Sequence, residues 1–379
     1  MSITVLLDAT SVPADAGGVG RYLRELVPVL ARRDDIDLHV ACQRRDVAWL
    51  AAGAPQAVLH AVPERTTSVP LRLLWEQTAL PRLARRIGAD VLHSPHYTMP
   101  LLTRRPRVVT LHDATFFSHP ELHGRLKGPF FRRWIRLSAR WADRCIAPSR
   151  ATAVEVERWT GRVRAPLVVS LHGVDTDRYA PEARRSESAV RTALALGDED
   201  YCAFVGTIEP RKNVGPLLDA LAALAGRRPD LRARLVLAGG RGWDDDAVAR
   251  LEAASATDPW RWLGYVDEEL LPAFVASSAL VAYPSVGEGF GLPILEAMAS
   301  GVPVVTTDRL AAPEVGGDVA VYSEPDAASL ELTLERLLDD APRREELGRR
   351  GRERALTFTW QRAGDEHAAA YVAAAGAGS

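Results

Sequence analysis

The stretch Tyr283-Pro-Ser-Val-Gly-Glu-Gly-Phe-Gly-Leu-Pro-Ile-Leu-Glu-Ala-Met298 joins a strand-like apolar run to a helical pattern through a glycine-rich loop. Pro293 suits the first turn of a helix, which predicts that Gly289, Phe290 and Gly291 form the loop before that helix. Amide groups at a helix start point toward anionic or hydroxyl ligands. The stretch therefore predicts a strand, a ligand-binding loop and a helix in succession, as in an α/β fold.

Two carboxylates flank this loop, with seven residues between them. Glu288 precedes the loop, and Glu296 lies about one turn into the predicted helix. At that spacing Glu296 can accept hydrogen bonds from vicinal ribose hydroxyls while Glu288 accepts them from a transferred sugar. The residues alone also allow a second interpretation, in which Glu296 only interacts with the helix dipole and Glu288 lies on the surface.

Strand-like runs alternate with helical patterns along the whole chain, which predicts parallel sheets built from βα units. In the first half the predicted strands are 3–7, 38–41, 91–93, 108–111, 145–147 and 167–171. In the second half they are 201–206, 233–238, 260–263, 280–283, 302–306 and 319–322. The rhythm predicts an α/β fold of two doubly wound, Rossmann-like domains that face each other across a cleft, with the carboxyl ends of both sheets at that cleft.

The boundary between the domains is predicted near residues 180–200, because this polar segment lacks a strand pattern. The N-terminal domain is then 1–185 and the C-terminal domain 195–358. A helical pattern within 360–379 follows the last strand, and the sequence allows it to pack back on the first domain or to stay with the second.

Three further groups follow predicted strands and could touch a ligand. Arg211 and Lys212 can clamp a pyrophosphate, or be solvated surface cations. Gly17 and Gly18, within Asp15-Ala-Gly-Gly-Val-Gly20, let a backbone approach a phosphate at a helix start, although a tight turn alone would also need glycine. His112 directly follows the run 108–111 and is either a ligand-facing or a structural histidine.

Composition bounds the class of protein. Of 379 residues 47% are hydrophobic and 25% charged, as in globular proteins, and no apolar run approaches the roughly 20 residues of a membrane span. Three widely spaced cysteines suggest neither disulfides nor a zinc site. The N-terminus resembles a first strand more than a signal peptide, so the expected location is the cytoplasm, free or at the inner face of the membrane.

Charge divides unevenly along the chain. Residues 1–190 hold 28 Lys and Arg against 19 Asp and Glu, whereas residues 191–379 hold 19 against 30. The basic half suits an anionic acceptor or a lipid surface, and a diphosphate-binding cleft would explain part of the same excess. Within it, 127–145 predicts a basic amphipathic helix whose apolar stripe packs in the core or lies on a membrane. The stripe comprises Phe130, Trp134, Leu137, Trp141 and Cys145.

The pair Glu288 and Glu296 resembles the E-x7-E motif of retaining glycosyltransferases with the GT-B fold, family four in particular. The resemblance covers nearly the whole chain. It extends to the Gly17-Gly18 turn, Leu111-His112-Asp113, Ala147-Pro148-Ser149, His172-Gly173-Val174-Asp175, Gly206 to Asn213, Gly264-Tyr265-Val266 and Gly301-Val302-Pro303-Val304-Val305.

The resemblance implies a role for each matching residue. Arg211 and Lys212 would bind the donor diphosphate, Glu296 the ribose, and Glu288 the donor sugar. His112 would reach the sugar near its reacting face. The remaining donor contacts would come from the Gly17-Gly18 turn, from the backbone of Phe290, Gly291 and Leu292, and, near the base, from Tyr265 and Val266.

The implied reaction is retaining transfer of a hexosyl group, mannosyl as first candidate, to a hydroxyl of a glycan, lipid-linked or small-molecule acceptor. The segment Pro210-Arg-Lys-Asn213 resembles a mannosyltransferase-like subgroup, which favours GDP-mannose as donor and a UDP-sugar second. One departure is Thr207, because many relatives place Arg directly after the glycine equivalent to Gly206. The cation is then expected from Arg211.

No cofactor and no metal are expected, since Arg211, Lys212 and helix dipoles can replace a cation at the diphosphate. The D-x-D pattern at Asp175 and Asp177 is interpreted as turn chemistry. No nucleic acid partner is expected. Two alternatives remain open: a nucleotide-sugar 2-epimerase of the same architecture, and a non-catalytic protein that binds a sugar nucleotide.

Overall fold

The computed structural model describes residues 2–12, 17–123, 127–161, 163–231 and 234–376. The chain folds as two compact units. Unit 1 contains Met1–Gly173 and Thr359–Ser379, and unit 2 contains Val174–Phe358. The chain passes from unit 1 to unit 2 between Gly173 and Val174, earlier than the predicted linker 180–200. The polar segment after Val174 belongs to unit 2 because its 3-10 turn, Pro181–Ser186, packs against a helix of that unit, Leu271–Ala276.

In its described residues unit 1 contains one parallel sheet of seven strands with helices between them. Its strands are β1 (Ile3–Asp8), β2 (Ile36–Cys42), β3 (Val58–Ala61), β4 (Val91–Ser94), β5 (Arg107–Thr110), β6 (Arg144–Ala147) and β7 (Val168–Val169). Its helices before the crossing are α1 (Gly17–Ala31), α2 (Val47–Gly53), α3 (Val69–Arg86), α4 (Thr115–Ser118), α5 (Lys127–Trp141) and α6 (Arg150–Thr160).

The described part of unit 2 contains one parallel sheet of six strands, again with helices between them. Its strands are β8 (Tyr201–Val205), β9 (Arg234–Ala238), β10 (Trp260–Trp262), β11 (Leu280–Tyr283), β12 (Val304–Thr306) and β13 (Val321–Tyr322). Its helices are α7 (Glu187–Ala193), α8 (Val214–Arg227), α9 (Asp245–Glu252), α10 (Leu271–Ala276), α11 (Leu292–Ala299), α12 (Ala312–Gly316), α13 (Ala327–Asp339) and α14 (Ala341–Ala355).

The last helix, α15 (Trp360–Gly376), returns to unit 1. It packs along α1, where Gly364 lies so close to Val29 that a Cβ atom on the glycine would meet the valine Cγ1 at 2.5 Å. A small residue at position 364 therefore sets the spacing of the two helices. In the described part of the chain no helix combines the length and hydropathy of a membrane span.

Both sheets have the strand order of a Rossmann fold: β3-β2-β1-β4-β5-β6-β7 in unit 1 and β10-β9-β8-β11-β12-β13 in unit 2. In each sheet the order reverses once, between β1 and β4 and between β8 and β11. The loops that follow these strands diverge there, and open α/β sheets bind ligands in the resulting crevice. Each unit therefore has its own topological switch point.

Besides the boundary between the units, two further details differ from the sequence prediction. Strand β3 was not predicted; it is a short edge strand with Val58 and Ala61 exposed, so it lacks the apolar signal of a central strand. In α5 Phe131 and Ile135 are buried, while Phe130 and Trp134 of the predicted stripe are partly buried against the same core and Trp141 is 51% exposed. The helix ends at Trp141, so Cys145 lies in strand β6 and not in the predicted helix 127–145. The stripe was placed about one residue away from the face that packs against the core.

Candidate functional site

The switch point of unit 2 brings together the strongest predicted site residues. Strand β8 leads into the 3-10 turn Pro210–Lys212, and β11 leads into the loop that carries Glu288. The two strands are neighbours in the sheet, so the loops at their carboxyl ends meet. Val286 N–H donates to the Arg211 carbonyl at 2.9 Å, which fixes one loop on the other.

One oxygen of Glu288 is the centre of this site. Its Oε1 accepts hydrogen bonds from Lys212 Nζ at 2.5 Å and from Arg211 Nη1 at 2.7 Å. Two hydroxyls complete the set, Ser285 Oγ at 2.7 Å and Tyr283 Oη at 2.9 Å. Lys212 Nζ also donates to Tyr283 Oη. The two cations are thus held side by side by one carboxylate.

Electrostatics keep this group ionised. Burial by itself would raise the pKa of Glu288, but Arg211 and Lys212 outweigh it and lower that pKa to about 2. Burial lowers the pKa of Lys212, and the charge of Arg211 lowers it further, while Glu288 acts in the opposite direction. Lys212 is only 6% exposed, which contradicts the alternative of a solvated surface cation.

Glu209 forms a second ion pair in the same loop, with its Oε2 2.7 Å from Arg211 Nε. Arg211 is therefore bound on both sides of its guanidinium, because its Nη1 contacts both Glu288 and the Gly287 carbonyl. A guanidinium fixed in this way is oriented before any ligand arrives, which favours recognition of a phosphate group.

Glycines allow the loop after β9 to pack directly on the loop after β8. A Cβ atom on Gly239 would lie 1.9 Å from the Gly206 carbonyl oxygen, and one on Gly242 would lie 2.0 Å from the Ile208 carbonyl oxygen. The same Cβ on Gly242 would lie 3.1 Å from the Thr207 methyl group. The Thr207 methyl group thus lies close to the backbone of the neighbouring loop.

The glycine-rich loop and α11 follow the predicted arrangement. Gly291 caps α11 with a φ of 101°, a conformation that favours glycine, and Pro293 lies in the first turn. Glu296 lies inside α11 and is 4% exposed. The Phe290 ring is buried and packs near Phe358, at 6.2 Å between centroids, so a ligand on this side would meet the Phe290 backbone.

The predicted base contacts lie after β10. Tyr265 is 65% exposed, whereas Val266 is buried at 4%. Gly239 N–H donates to the Gly264 carbonyl at 2.7 Å, which joins this turn to the loop after β9. The aromatic ring of Tyr265 is therefore available at the carboxyl edge of the sheet. Leu292 directly follows Gly291 and is the first residue of α11, at the same edge of the sheet as Tyr265.

In unit 1, His112 follows β5. Its Nε2 lies 2.7 Å from the Pro95 carbonyl and donates to it, so Nδ1 is the unprotonated nitrogen in the neutral ring. Burial lowers the pKa of His112. The Tyr22 ring contacts it edge-on, at 5.1 Å between centroids and 81° between planes. His112 is thus a neutral imidazole in a fixed tautomer.

Gly17 is the first residue of α1 and has a φ of 49°, and Gly18 follows it at the exposed helix start. Asp15 and the rest of 13–16 lie outside the described residues. The D-x-D pattern forms a turn: Asp175 Oδ1 accepts from the backbone N–H groups of Asp177 and Arg178, each at 3.0 Å. Within the described residues no group of three His, Cys, Asp or Glu side chains is arranged to hold a metal ion.

Sequence reasoning did not select four residues that the structure places beside the predicted ones. Tyr283 and Ser285 lie in the quoted stretch, and Glu209 lies two residues before Arg211, but only the folded loops show that they share its partners. Tyr22 beside His112 was missed because 90 residues separate them in the sequence. A polar residue two positions after a buried strand was the signal available for Ser285.

Comparison with known proteins identifies the family. Residues 16–178 match the model described as Glycosyltransferase Family 4, and 187–354 match the model described as Glycosyl transferases group 1. The O-antigen chain mannosyltransferase B of Escherichia coli is 33% identical over 273 residues, which cover 72% of this chain and 71% of that protein. This chain is a family 4 glycosyltransferase.

Other comparisons agree. The D-inositol 3-phosphate glycosyltransferase of Salinispora arenicola is 35% identical over 242 residues, covering 58% of this chain and about half, 52%, of that protein. The Anabaena protein HepE, solved in complex with UDP-glucose, has a TM-score of 0.75 at 20% identity and covers 97% of this chain and 98% of that one. The glycosyltransferase therefore has the GT-B type of fold, with two Rossmann-like units.

Proposed function

We propose that this glycosyltransferase transfers a hexosyl group, mannosyl first, from a nucleotide diphosphate sugar to an acceptor hydroxyl, with retention at the anomeric carbon. The observation that carries the proposal is the cation pair of Arg211 and Lys212, held by Glu288 at the topological switch point of unit 2. Buried and oriented cations stabilise the charge that develops on a leaving diphosphate. Glu296, buried in α11, would accept hydrogen bonds from the ribose.

In the proposed reaction the bond between the anomeric carbon and the diphosphate oxygen breaks, and the acceptor oxygen forms a bond to the same face of that carbon. The acceptor proton goes to the departing diphosphate. Glu288 supports a mechanism without a protein nucleophile, because four donors surround its Oε1 and its pKa of about 2 makes it a weak base. Its role is to orient the two cations and a sugar hydroxyl.

The donor we propose first is GDP-mannose, supported by the relative named as a mannosyltransferase. A UDP-sugar is second, supported by the related fold solved with UDP-glucose. We further propose transfer without a metal ion, and the support is the positive charge that Arg211 and Lys212 supply at the proposed diphosphate site. Transfer that persists in excess chelator would support this, and strict dependence on magnesium would refute it.

For the acceptor we propose a glycan or lipid-linked hydroxyl compound, with contact between unit 1 and an anionic membrane surface. The support is α5, which exposes Arg133, Arg136 and Arg140 and ends in the half-exposed Trp141. Basic helices with an aromatic end bind anionic headgroups. Sedimentation with phosphatidylglycerol vesicles should fall in a triple Glu variant of the three arginines, whereas Arg343→Glu in unit 2 should not change it.

The test of the central proposal is calorimetric titration with GDP, UDP and ADP, without metal and then with magnesium. We expect one nucleotide to bind without metal, and Lys212→Ala to weaken that binding at least tenfold and reduce transfer strongly. Arg343→Ala is the control, because it removes a surface arginine that pairs with Glu346 in α14. Near-normal binding in Lys212→Ala, or no binding of any nucleotide to the wild type, would refute the site.

The two alternatives predict different outcomes in the same preparation. A nucleotide-sugar 2-epimerase would convert its sugar nucleotide without acceptor, which chromatography of the recovered nucleotide sugar would detect. A non-catalytic protein would bind the nucleotide sugar but release no nucleoside diphosphate from it with any acceptor. Release of nucleoside diphosphate that requires an acceptor would support glycosyl transfer.

A further inference from the structure

A fully buried tyrosine lies where four parts of unit 1 meet. Tyr22 is on α1, one turn after the Gly17-Gly18 start, and is 0% exposed. Its hydroxyl lies 2.7 Å from Nε2 of His367, on α15, and 3.1 Å from Oγ1 of Thr110, the last residue of β5. Its ring contacts His112 and lies 5.0 Å from the ring of His172, between centroids.

In this cluster of side chains each group donates a hydrogen bond to the next one, so donors and acceptors can be assigned along the whole series. His367 Nδ1 lies 2.7 Å from the Ala363 carbonyl and must donate to it, so Nε2 is an acceptor and the Tyr22 hydroxyl donates to Nε2. The Tyr22 oxygen then accepts from Thr110. His93 Nε2 donates to Thr110 at 2.9 Å.

The chain of hydrogen bonds ends at a second tyrosine. The Tyr371 hydroxyl, also on α15 and 0% exposed, donates to His93 Nδ1 at 2.8 Å. Each group between Tyr371 and the Ala363 carbonyl thus accepts one hydrogen bond of this chain and donates the next. A buried network that is fully satisfied fixes its members in one geometry.

Tyr22 differs from Tyr371 in what it touches beyond the network. Tyr22 contacts His112 directly, and its hydroxyl contacts Thr110, which is two residues before His112. It also fixes the rotation of α1, whose first residues are Gly17 and Gly18. Tyr371 instead donates to His93, whereas Tyr22 contacts the His112 ring itself, so the two tyrosines form a matched pair of buried hydroxyls with different surroundings.

We propose that Tyr22 is a positioning residue for the reaction, and that His367 of the C-terminal helix holds it in place. It sets the orientation of the His112 ring and of the glycine start of α1. This inference rests on the proposed function and on the donor contacts that the family resemblance implies for His112 and the Gly17-Gly18 turn. α15 then contributes to the site of unit 1 through the Tyr22 hydroxyl.

The test compares Tyr22→Phe with Tyr371→Phe, each of which removes one buried hydroxyl that donates to a histidine. We expect Tyr22→Phe to lower kcat about tenfold or more, as for a small misplacement of reacting groups. Tyr371→Phe should stay within about twofold of wild type. His367→Gln, which keeps a donor and an acceptor, should lie between them.

A readout independent of activity is the NMR signal of the His112 ring in protein labelled at histidine. We expect its carbon and proton shifts to move in Tyr22→Phe and to stay in place in Tyr371→Phe. Equal effects of the two variants, or an unmoved His112 signal, would overturn the positioning role. Absence of nucleotide binding in the wild type would instead count against the proposed function, and the NMR comparison would still decide the role of Tyr22.

Discussion

Lowering the pH should destabilise unit 1 through His367, which is buried as a neutral ring. Burial lowers its pKa from 6.5 to about 4. Because the folded state then binds fewer protons than the unfolded state, the contribution of His367 is fully present above pH 6.5. It is lost progressively as the pH falls from 6.5 toward 4.

The magnitude follows from these two pKa values. Between pH 7.5 and pH 5 the unfolded histidine becomes almost fully protonated while the folded one does not, and the free energy of unfolding falls by about 2 kcal/mol from this residue alone. Glu76 acts in the opposite direction, because burial raises its pKa to about 7 and it takes up a proton in the folded state over the same range. The dependence of the wild-type free energy of unfolding on pH therefore contains both effects.

A comparison of variants isolates His367. Amide hydrogen exchange of peptides from β4 and α15, corrected for the intrinsic effect of pH on exchange, gives the free energy of opening at pH 7.5 and pH 5. We expect His367→Gln to be less stable than the wild type at pH 7.5 and to lose about 2 kcal/mol less on acidification. His119→Gln is the control, since His119 is half-buried and contacts Ser118. The same loss on acidification in wild type and His367→Gln would refute the reasoning.

Two further predictions concern unit 2. Glu288→Gln should bind GDP at least as tightly as the wild type, because it removes the anion that neutralises Lys212, while transfer falls strongly; weaker binding in calorimetry would contradict this. Gly239→Ala should lower the free energy of unfolding by about 2 to 4 kcal/mol, since its Cβ would collide with the Gly206 carbonyl at 1.9 Å. Gly226→Ala, where a Cβ meets nothing within 4 Å, should be neutral or stabilising by up to about 1 kcal/mol in urea unfolding.

Most of the fold could be predicted from the sequence because central strands of parallel sheets are short, apolar and separated by helices. Strands such as β8 and β11 are buried along their whole length and were predicted within a residue of their observed ends. The edge strand β3 was not, since its half-exposed residues resemble a loop. The boundary between the units also differed, because the 3-10 turn Pro181–Ser186 packs on α10 without an apolar pattern in the sequence.

The candidate site, like the fold, could be predicted from the sequence only in part. The sequence indicated Glu288, Arg211 and Lys212, because their residue types follow predicted strand ends. It did not indicate that a single oxygen of Glu288 joins both cations, since hydrogen-bond partners depend on side-chain positions that no spacing specifies. The link from Tyr22 to His367 spans 345 residues and depends on the return of α15 to unit 1.

Acid should open the two units in a defined order, because all nine histidines lie outside 174–358 and thus belong to unit 1. Burial lowers the pKa of His93, His96 and His172 well below 6.5, so each adds to the effect of His367 between pH 7 and pH 5. In unit 2 the lowered pKa of Glu288, about 2, gives a contribution that is lost only as the pH falls below 4.5. Hydrogen exchange corrected for the intrinsic effect of pH should therefore show more opening at pH 5 in β4 and α15 while β8 and β11 stay protected. Equal opening of both sheets would show that other groups govern acid stability.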